Sequence, residues 1–211
     1  MKGGEPMQPA IFLDRDGVIN DNRADHVTTW ADFVPVHGAL AGVRALSRLG
    51  LPIFVVTNQA IVGRGIITAE ALDALHSRMC RLISAHGGRI SGVYACPHRP
   101  EEDCGCRKPR PGLFRRAAHE HGLDLGQSYY VGDALTDVAA GQAARCTTVV
   151  VRTGRGLAQI LCRQAQPYTG YYVARDLLHA ARFIAHDRAR RAGRPHLFST
   201  LRLALHDVQL V

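Results

Sequence analysis

Ala10-Ile11-Phe12-Leu13-Asp14-Arg15-Asp16-Gly17-Val18-Ile19-Asn20 is the stretch on which the fold turns. A short apolar run that ends in a carboxylate reads as a buried strand with Asp14 at its C-terminal tip. Two carboxylates one residue apart can enter the same crevice as the chain turns. One can attack a phosphorus atom while the other handles a proton. Gly17 permits a tight turn, so nearby N–H groups can face phosphate oxygens. For this stretch alone, a capped strand end with two solvated aspartates is an equal reading.

The same strand-then-polar pattern recurs outward from it. Pro52 to Val56 is a second apolar run, ending at Thr57 and Asn58, and Tyr129 to Gly132 is another, ending at Asp133. Gly92 to Ala95, Thr147 to Val151 and Tyr171 to Ala174 add further strands. Between them lie helical spacings over Ala39 to Leu49, Thr68 to Ala85, Pro111 to Glu120, from beyond Asp133 to Ala144, and from beyond Ala174 to about Arg191. Strands alternating with helices predict an α/β fold, a Rossmann-like doubly wound parallel sheet with helices on both faces. Ligands bind beyond the carboxyl ends of such strands. Asp14, Thr57 and Asp133 all sit there.

The chain has 211 residues, 46% hydrophobic and 21% charged, which suits one globular domain and excludes wholesale disorder. Its net charge of +8 suits a nucleic acid, an anionic surface or a phosphorylated small molecule. No apolar run reaches the ~18 residues of a spanning helix. Met1 to Pro9 lacks the basic and apolar regions of a secretory signal. The expectation is a cytoplasmic monomer without a membrane partner. It has a flexible N-terminus over residues 1–9, one domain over 10–192, and a tail over 193–211 with no assigned element.

Three more motifs carry chemistry. Thr57-Asn58-Gln59 offers a hydroxyl and amides to a phosphoryl oxygen. In Cys106-Arg107-Lys108-Pro109-Arg110-Pro111-Gly112, Lys108 can neutralise developing charge. In Val131-Gly132-Asp133-Ala134-Leu135-Thr136-Asp137, Asp133 can hold Mg²⁺, a hard cation that favours oxygen ligands. Asp137, one helical turn on, either orients its neighbours or favours the positive end of the following helix.

In order and placement, these four motifs resemble the haloacid dehalogenase (HAD) superfamily of phosphotransferases over roughly residues 10 to 155. The resemblance implies that Asp14 is the nucleophile and forms an aspartyl-phosphate, and that Asp16 is the general acid and then base. It implies Mg²⁺ held by the Asp14 carboxylate, the Asp16 backbone carbonyl and Asp133, with Thr57 and Lys108 steadying the transferring group. A divalent cation plus Lys108 would relieve repulsion among the aspartates and an incoming phosphate.

Cys96-Pro97-His98 and Cys104-Gly105-Cys106 supply three thiolates and one imidazole, the donor set of a closed structural Zn²⁺ site. Residues 99–103 contain no core formers, so zinc would order this loop (96–106) by cross-linking it. The loop runs directly into Arg107 and Lys108. Cys80 and Cys162 sit in helical patterns and read as core thiols, whereas Cys146, in a short connection before a strand, has no visible partner.

A zinc loop here narrows the resemblance to the subgroup of heptose-1,7-bisphosphate 7-phosphatases and histidinol-phosphatases. The Asp14 motif, the stretch from Thr57 to Gly65 and Val151-Arg152-Thr153-Gly154 look more like the heptose enzymes. The short spacer between His98 and Cys104 looks more like the histidinol enzymes. Ile61 stands where the family often has glycine, and Ala134 where some heptose enzymes carry a substrate-contacting lysine.

Asn22, Arg23, Asp25, Asn58, Gln59, Arg64 and Arg107 are the candidate substrate-binding residues. Arg64 and Arg107 present forked donors suited to a second phosphate, whereas the cationic histidinol phosphate would prefer carboxylates. The expected activity is therefore Mg²⁺-dependent hydrolysis of a small phosphorylated sugar, the 7-phosphate of D-glycero-D-manno-heptose 1,7-bisphosphate, in an open site without a large cap domain. Histidinol-phosphatase is the alternative enzyme. The non-enzyme alternative is a zinc-containing nucleic-acid-binding module, against which stand the absent finger spacing and the lack of an aromatic platform.

Overall fold

A computed structural model describes residues 7–162, 168–193 and 208–211, and in it each apolar run named above forms a strand. The strands are β1 (Ile11–Leu13), β2 (Ile53–Asn58), β3 (Gly92–Cys96), β4 (Tyr129–Gly132), β5 (Thr147–Val151) and β6 (Tyr172–Ala174). They pair in parallel in the order β3-β2-β1-β4-β5-β6. Register puts Leu13 opposite Val55 and Val131, so the chain leaves β1, β2 and β4 at one edge of the sheet. The switch in winding direction falls at β1, where open sheets of this type bind ligands.

Alternate side chains serve opposite faces. Ile11, Leu13, Ile53, Val55, Tyr129 and Val131 join one apolar cluster. It is covered by α1 (Ala39–Ser47), α3 (Ala69–Ala85) and α7 (Leu177–Arg191). Phe12, Phe54, Val56 and Tyr130 join the other, under α4 (Gly112–His121) and α5 (Leu135–Ala143). The Thr68 side chain caps α3 by accepting from Ala71 N, and that of Asp176 caps α7 by accepting from His179 N. A Cβ on Gly42 would lie 2.8 Å from Leu177 Cγ, which is why α1 and α7 can pack so closely.

Sequence patterning did not show the short helices α2 (Ala60–Gly63) and α6 (Gly156–Leu161), each under two turns and too brief for a periodic signal. The expected parallel sheet also gains one antiparallel strand. Within the tail left unassigned, β7 (Val208–Leu210) pairs with β6. At the other end, Gln8 is not a free part of the expected flexible N-terminus. Its N–H donates to Gly122 O at 3.1 Å, and its carbonyl accepts from Asp124 N at 2.9 Å. The rest of those two expectations, residues 1–6 and 194–207, lies outside the described residues. Between β1 and α1 the chain forms only a 3-10 turn (Trp30–Asp32), so no second domain interrupts it there.

Candidate active site

Asp14 follows β1 directly, and its N–H bonds to Val131 O at 2.8 Å, which fixes the exit from the strand against β4. Its Oδ1 accepts from Arg15 N at 2.7 Å and its Oδ2 meets Lys108 Nζ at 2.9 Å. Lys108 arrives from the zinc-type loop on the far side. Asn58, the last residue of β2, holds it there at both backbone ends. The Asn58 side-chain oxygen accepts from Lys108 N at 3.0 Å, and its amide donates to Lys108 O at 3.1 Å. The Lys108 ammonium also meets Asp137 Oδ1 at 2.8 Å and donates to Tyr130 Oη at 2.9 Å.

The carboxylates of Asp14, Asp133 and Asp137 converge, with oxygens within 4.8 Å of one another. Asp137 has its acceptors in use: Oδ1 takes Lys108 and the Tyr130 hydroxyl at 2.7 Å, and Oδ2 takes the N–H groups of Asp133 and Ala134 at 3.0 Å each. Asp133 Oδ2 accepts from Arg155 N at 2.8 Å, while its buried Oδ1 has no hydrogen-bond partner. Gly17 and Gly154 line the other side of this carboxylate. A Cβ on either would fall 2.1 or 2.3 Å from Asp133 Oδ2.

The electrostatics suit a cation at this point. Burial, with Asp137 and Asp133 adding repulsion, lifts the Asp14 carboxyl to about 7 despite the opposing Lys108. Burial likewise raises Asp133 against the help of Arg155. An orphaned carboxylate oxygen beside another aspartate, in a pocket that side-chain carbons are kept out of, suits a small hard divalent ion. Asp14 and Asp133 are the residues that would hold Mg²⁺, and Asp137 acts as their brace.

Asp16 turns its carboxylate elsewhere, so the third aspartate gathered by side chain is Asp137. The metal contact expected of Asp16 was through its backbone carbonyl. Arg15 grips the Asp16 carboxylate with Nη2 at 3.0 Å to each oxygen, and Asn20 and Gln59 donate to it at 2.8 Å each. Burial raises the Asp16 carboxyl, but the Arg15 charge and these hydrogen bonds outweigh it and leave it lowered. Arg15 is itself buried, and its Nη1 lies 3.2 Å from His76 Nε2 on α3. The Gln59 amide also donates to Thr57 Oγ1 at 2.8 Å. It thereby ties the end of β2 to Asp16.

A cavity of about 610 Å³ opens over these groups. Of the expected substrate residues, Asn22, Arg23, Asn58, Gln59, Arg64 and Arg107 line it. Asp25 does not, and instead pairs with Arg23 at 2.6 Å. Asn58 and Gln59 are engaged within the site as described. Ile61, at the position where glycine was expected to be frequent, is buried and also lines the wall. Sequence reasoning missed Arg155, whose guanidinium stands 3.7 Å from Asp133 Oδ1. It also missed Tyr130 and the Arg15–His76 contact. Arg155 directly follows the Thr153-Gly154 pair, and Thr153 Oγ1 donates to Gly17 O at 2.6 Å, so that stretch was the available signal.

In the zinc-type loop, Sγ to Sγ distances are 3.5 Å for Cys96–Cys104, 3.3 Å for Cys96–Cys106 and 3.4 Å for Cys104–Cys106, with His98 Nδ1 3.2 Å from Cys106 Sγ. A disulfide needs about 2.05 Å. A tetrahedron with Zn–S bonds of about 2.3 Å has edges of about 3.8 Å, close to what is seen. The four residues can hold Zn²⁺. The loop is fastened to the active site at three points: Gln59 N to Cys96 O at 2.7 Å, Gly63 N to Pro97 O at 3.0 Å, and Arg107 Nη1 to His98 O at 3.2 Å.

Comparison with known proteins agrees with this arrangement. Residues 105–180 match the HAD-hydrolase-like family. The chain is 37% identical over 147 residues to the D-glycero-beta-D-manno-heptose-1,7-bisphosphate 7-phosphatase of Pseudomonas aeruginosa, covering 70% of this chain and 83% of that one. It is 38% identical over 146 residues to the Neisseria meningitidis protein of the same name, covering 69% and 78%. The crystal structure of D,D-heptose 1,7-bisphosphate phosphatase from B. bronchiseptica, complexed with magnesium and phosphate, superposes with a TM-score of 0.80 at 32% identity, covering 85% of this chain and 99% of that one.

Proposed function

Since the chain belongs to the heptose-1,7-bisphosphate 7-phosphatase family of HAD-like hydrolases, we propose that it removes the 7-phosphate of D-glycero-D-manno-heptose 1,7-bisphosphate in a Mg²⁺-dependent reaction. Asp14 attacks phosphorus, the bond from phosphorus to the sugar oxygen breaks, and Asp16 gives that oxygen a proton. Water then attacks the aspartyl-phosphate, Asp16 takes its proton, and phosphate leaves with Asp14 restored. Asp16 is held as an anion by Arg15, Asn20 and Gln59, which suits the second half. To donate in the first half it must first take up a proton from solvent, for which it turns out of the Arg15 fork, and the proton it takes from the attacking water then readies it for the next cycle. Lys108 neutralises charge on the reacting oxygens, and Thr57 presents its hydroxyl to the transferring group. A bound Mg²⁺, held by Asp14, Asp133 and the Asp16 carbonyl, would supply further neutralisation of the phosphoryl charge.

The observation that carries the substrate class is the wall of the cavity. Arg23, Arg64, Arg107 and Arg155 line it, of which Arg23 is paired with Asp25, whereas its one carboxylate, Asp16, is held by Arg15. That field suits a substrate with two phosphates and disfavours the cationic histidinol phosphate. The zinc-type loop serves as structural support. None of the six cysteines forms a disulfide, which suits the reducing cytoplasm.

The test is phosphate release from heptose bisphosphate and from histidinol phosphate, with Mg²⁺ and with chelator. Turnover of the bisphosphate that needs Mg²⁺ is expected. Asp14→Asn should abolish it while fold and zinc content survive. Selective turnover of histidinol phosphate overturns the substrate assignment.

A further inference from the structure

Lys108 is buried, and its ammonium has three protons and three close acceptors: Asp14 Oδ2 at 2.9 Å, Asp137 Oδ1 at 2.8 Å and Tyr130 Oη at 2.9 Å. A lysine ammonium is a rotor on a flexible stem and does not fix its own direction. Here two of its three directions are set by Tyr130 and Asp137, which belong to β4 and α5. The third faces the nucleophile. Tyr130 is fully buried, and its hydroxyl donates to Asp137 Oδ1 at 2.7 Å, so one phenol closes a triangle with the lysine and its brace. Burial, with the charges of Asp137 and Asp14, pushes the phenol well above its ordinary value, so the hydroxyl keeps the proton it donates. Its ring packs at a near right angle on Phe114, with centroids 4.9 Å apart, so the hydroxyl is held from behind.

We propose that Tyr130 is a positioning residue for phosphoryl transfer: its hydroxyl orients the Lys108 ammonium so that one N–H is reserved for Asp14 and the phosphoryl oxygens. It does not touch the substrate and acts through Lys108. This rests on the phosphatase reading and assigns a role to a residue that the reading does not use. Without the hydroxyl, Lys108 keeps its charge and its pairs with Asp14 and Asp137 but loses its third anchor. Its proton is then shared among shifting directions, at a cost felt when charge develops and not when substrate binds.

Tyr130→Phe removes only the oxygen. Relative to wild type, kcat should fall about tenfold with KM within twofold, and orthovanadate, which mimics the transferring group in flight, should bind about tenfold more weakly in the presence of Mg²⁺. Tyr130→Met, which also lacks the hydroxyl, should show the same pattern and serves if the phenylalanine variant folds poorly. Wild-type kcat and vanadate affinity in a folded variant overturn the proposal. So does a loss confined to KM or to Tm. Wild-type turnover of heptose bisphosphate tests the phosphatase reading separately. The variant comparison runs equally on p-nitrophenyl phosphate, so either idea can fail without the other.

Discussion

Gly17 packs against Asp133 so tightly that a Cβ at Gly17 would stand 2.1 Å from Asp133 Oδ2. The two residues come from loops after β1 and β4, 116 positions apart in sequence, the difference between 133 and 17. Gly17 also has φ +84°, a conformation that L side chains resist. Gly17→Ala should therefore displace the Asp133 carboxylate as well as strain the turn. We expect kcat/KM to fall at least ~100-fold and the Mg²⁺ concentration for half activity to rise, read from metal titrations of phosphate release.

The cysteine loop is anchored to Gln59, Gly63 and Arg107, so its loss should reach the chemistry. Cys104→Ser should drop zinc below one per chain by elemental analysis. Tm should fall by ~10 °C or more and kcat should fall with it, because Lys108 follows the loop by two residues from Cys106. An active, thermally unchanged, zinc-free variant would show the loop to be dispensable.

His76 gives a signed pH dependence. Burial, then the nearby Arg15 charge, lowers its imidazole from 6.5 to about 3. Below about pH 6.5 the unfolded chain takes up a proton that the folded chain refuses, so folding stability is lost as pH falls toward 3. The slope is at most ~1.4 kcal/mol per pH unit. His76→Gln, which can still accept from Arg15, should unfold in urea with a shallower loss between pH 6 and 5. Parallel curves would assign the acid sensitivity to other groups.

Arg155 holds Asp133 through its backbone N–H, which mutation leaves in place, while its exposed guanidinium lines the cavity. Arg155→Ala should raise KM for heptose bisphosphate ~5-fold, about 1 kcal/mol, and leave kcat within twofold. p-Nitrophenyl phosphate, with one phosphate, should show little change. Equal effects on both substrates would place Arg155 in the support of Asp133 instead.

Much of the framework was legible because the strands are buried on both faces and read as short unbroken apolar runs. Asp14, Thr57 and Asp133 follow such runs immediately, so their placement at one edge needed only the parallel topology. The cysteine spacing was local and survived folding unchanged. Side chains whose partners lie far off in sequence were not legible. Tyr130 within a strand looks like any core aromatic until Lys108, 22 positions away, reaches its hydroxyl. His76 looks like one polar residue on a helix until Arg15 is buried against it. Asp137 stood between two readings, and the structure gives it both: it takes Lys108 and the Tyr130 hydroxyl as a brace, and it accepts from the N–H groups of Asp133 and Ala134 at the start of α5. β7 follows residues that carry no periodic signal, and it is recognised only through its pairing with β6.

The strand order has a last consequence. Thr57, Asp14 and Asp133 issue from β2, β1 and β4, three adjacent members of one ladder, so their spacing is inherited from the sheet's backbone. Arg23 and Arg64 stand on loops outside the ladder, and Arg155 is joined to it through the bond of its N–H to Asp133 while its guanidinium stays clear. On the proposed assignment, such a division of labour would let the loops change which phosphate ester is taken while the hydrolytic centre stays in place.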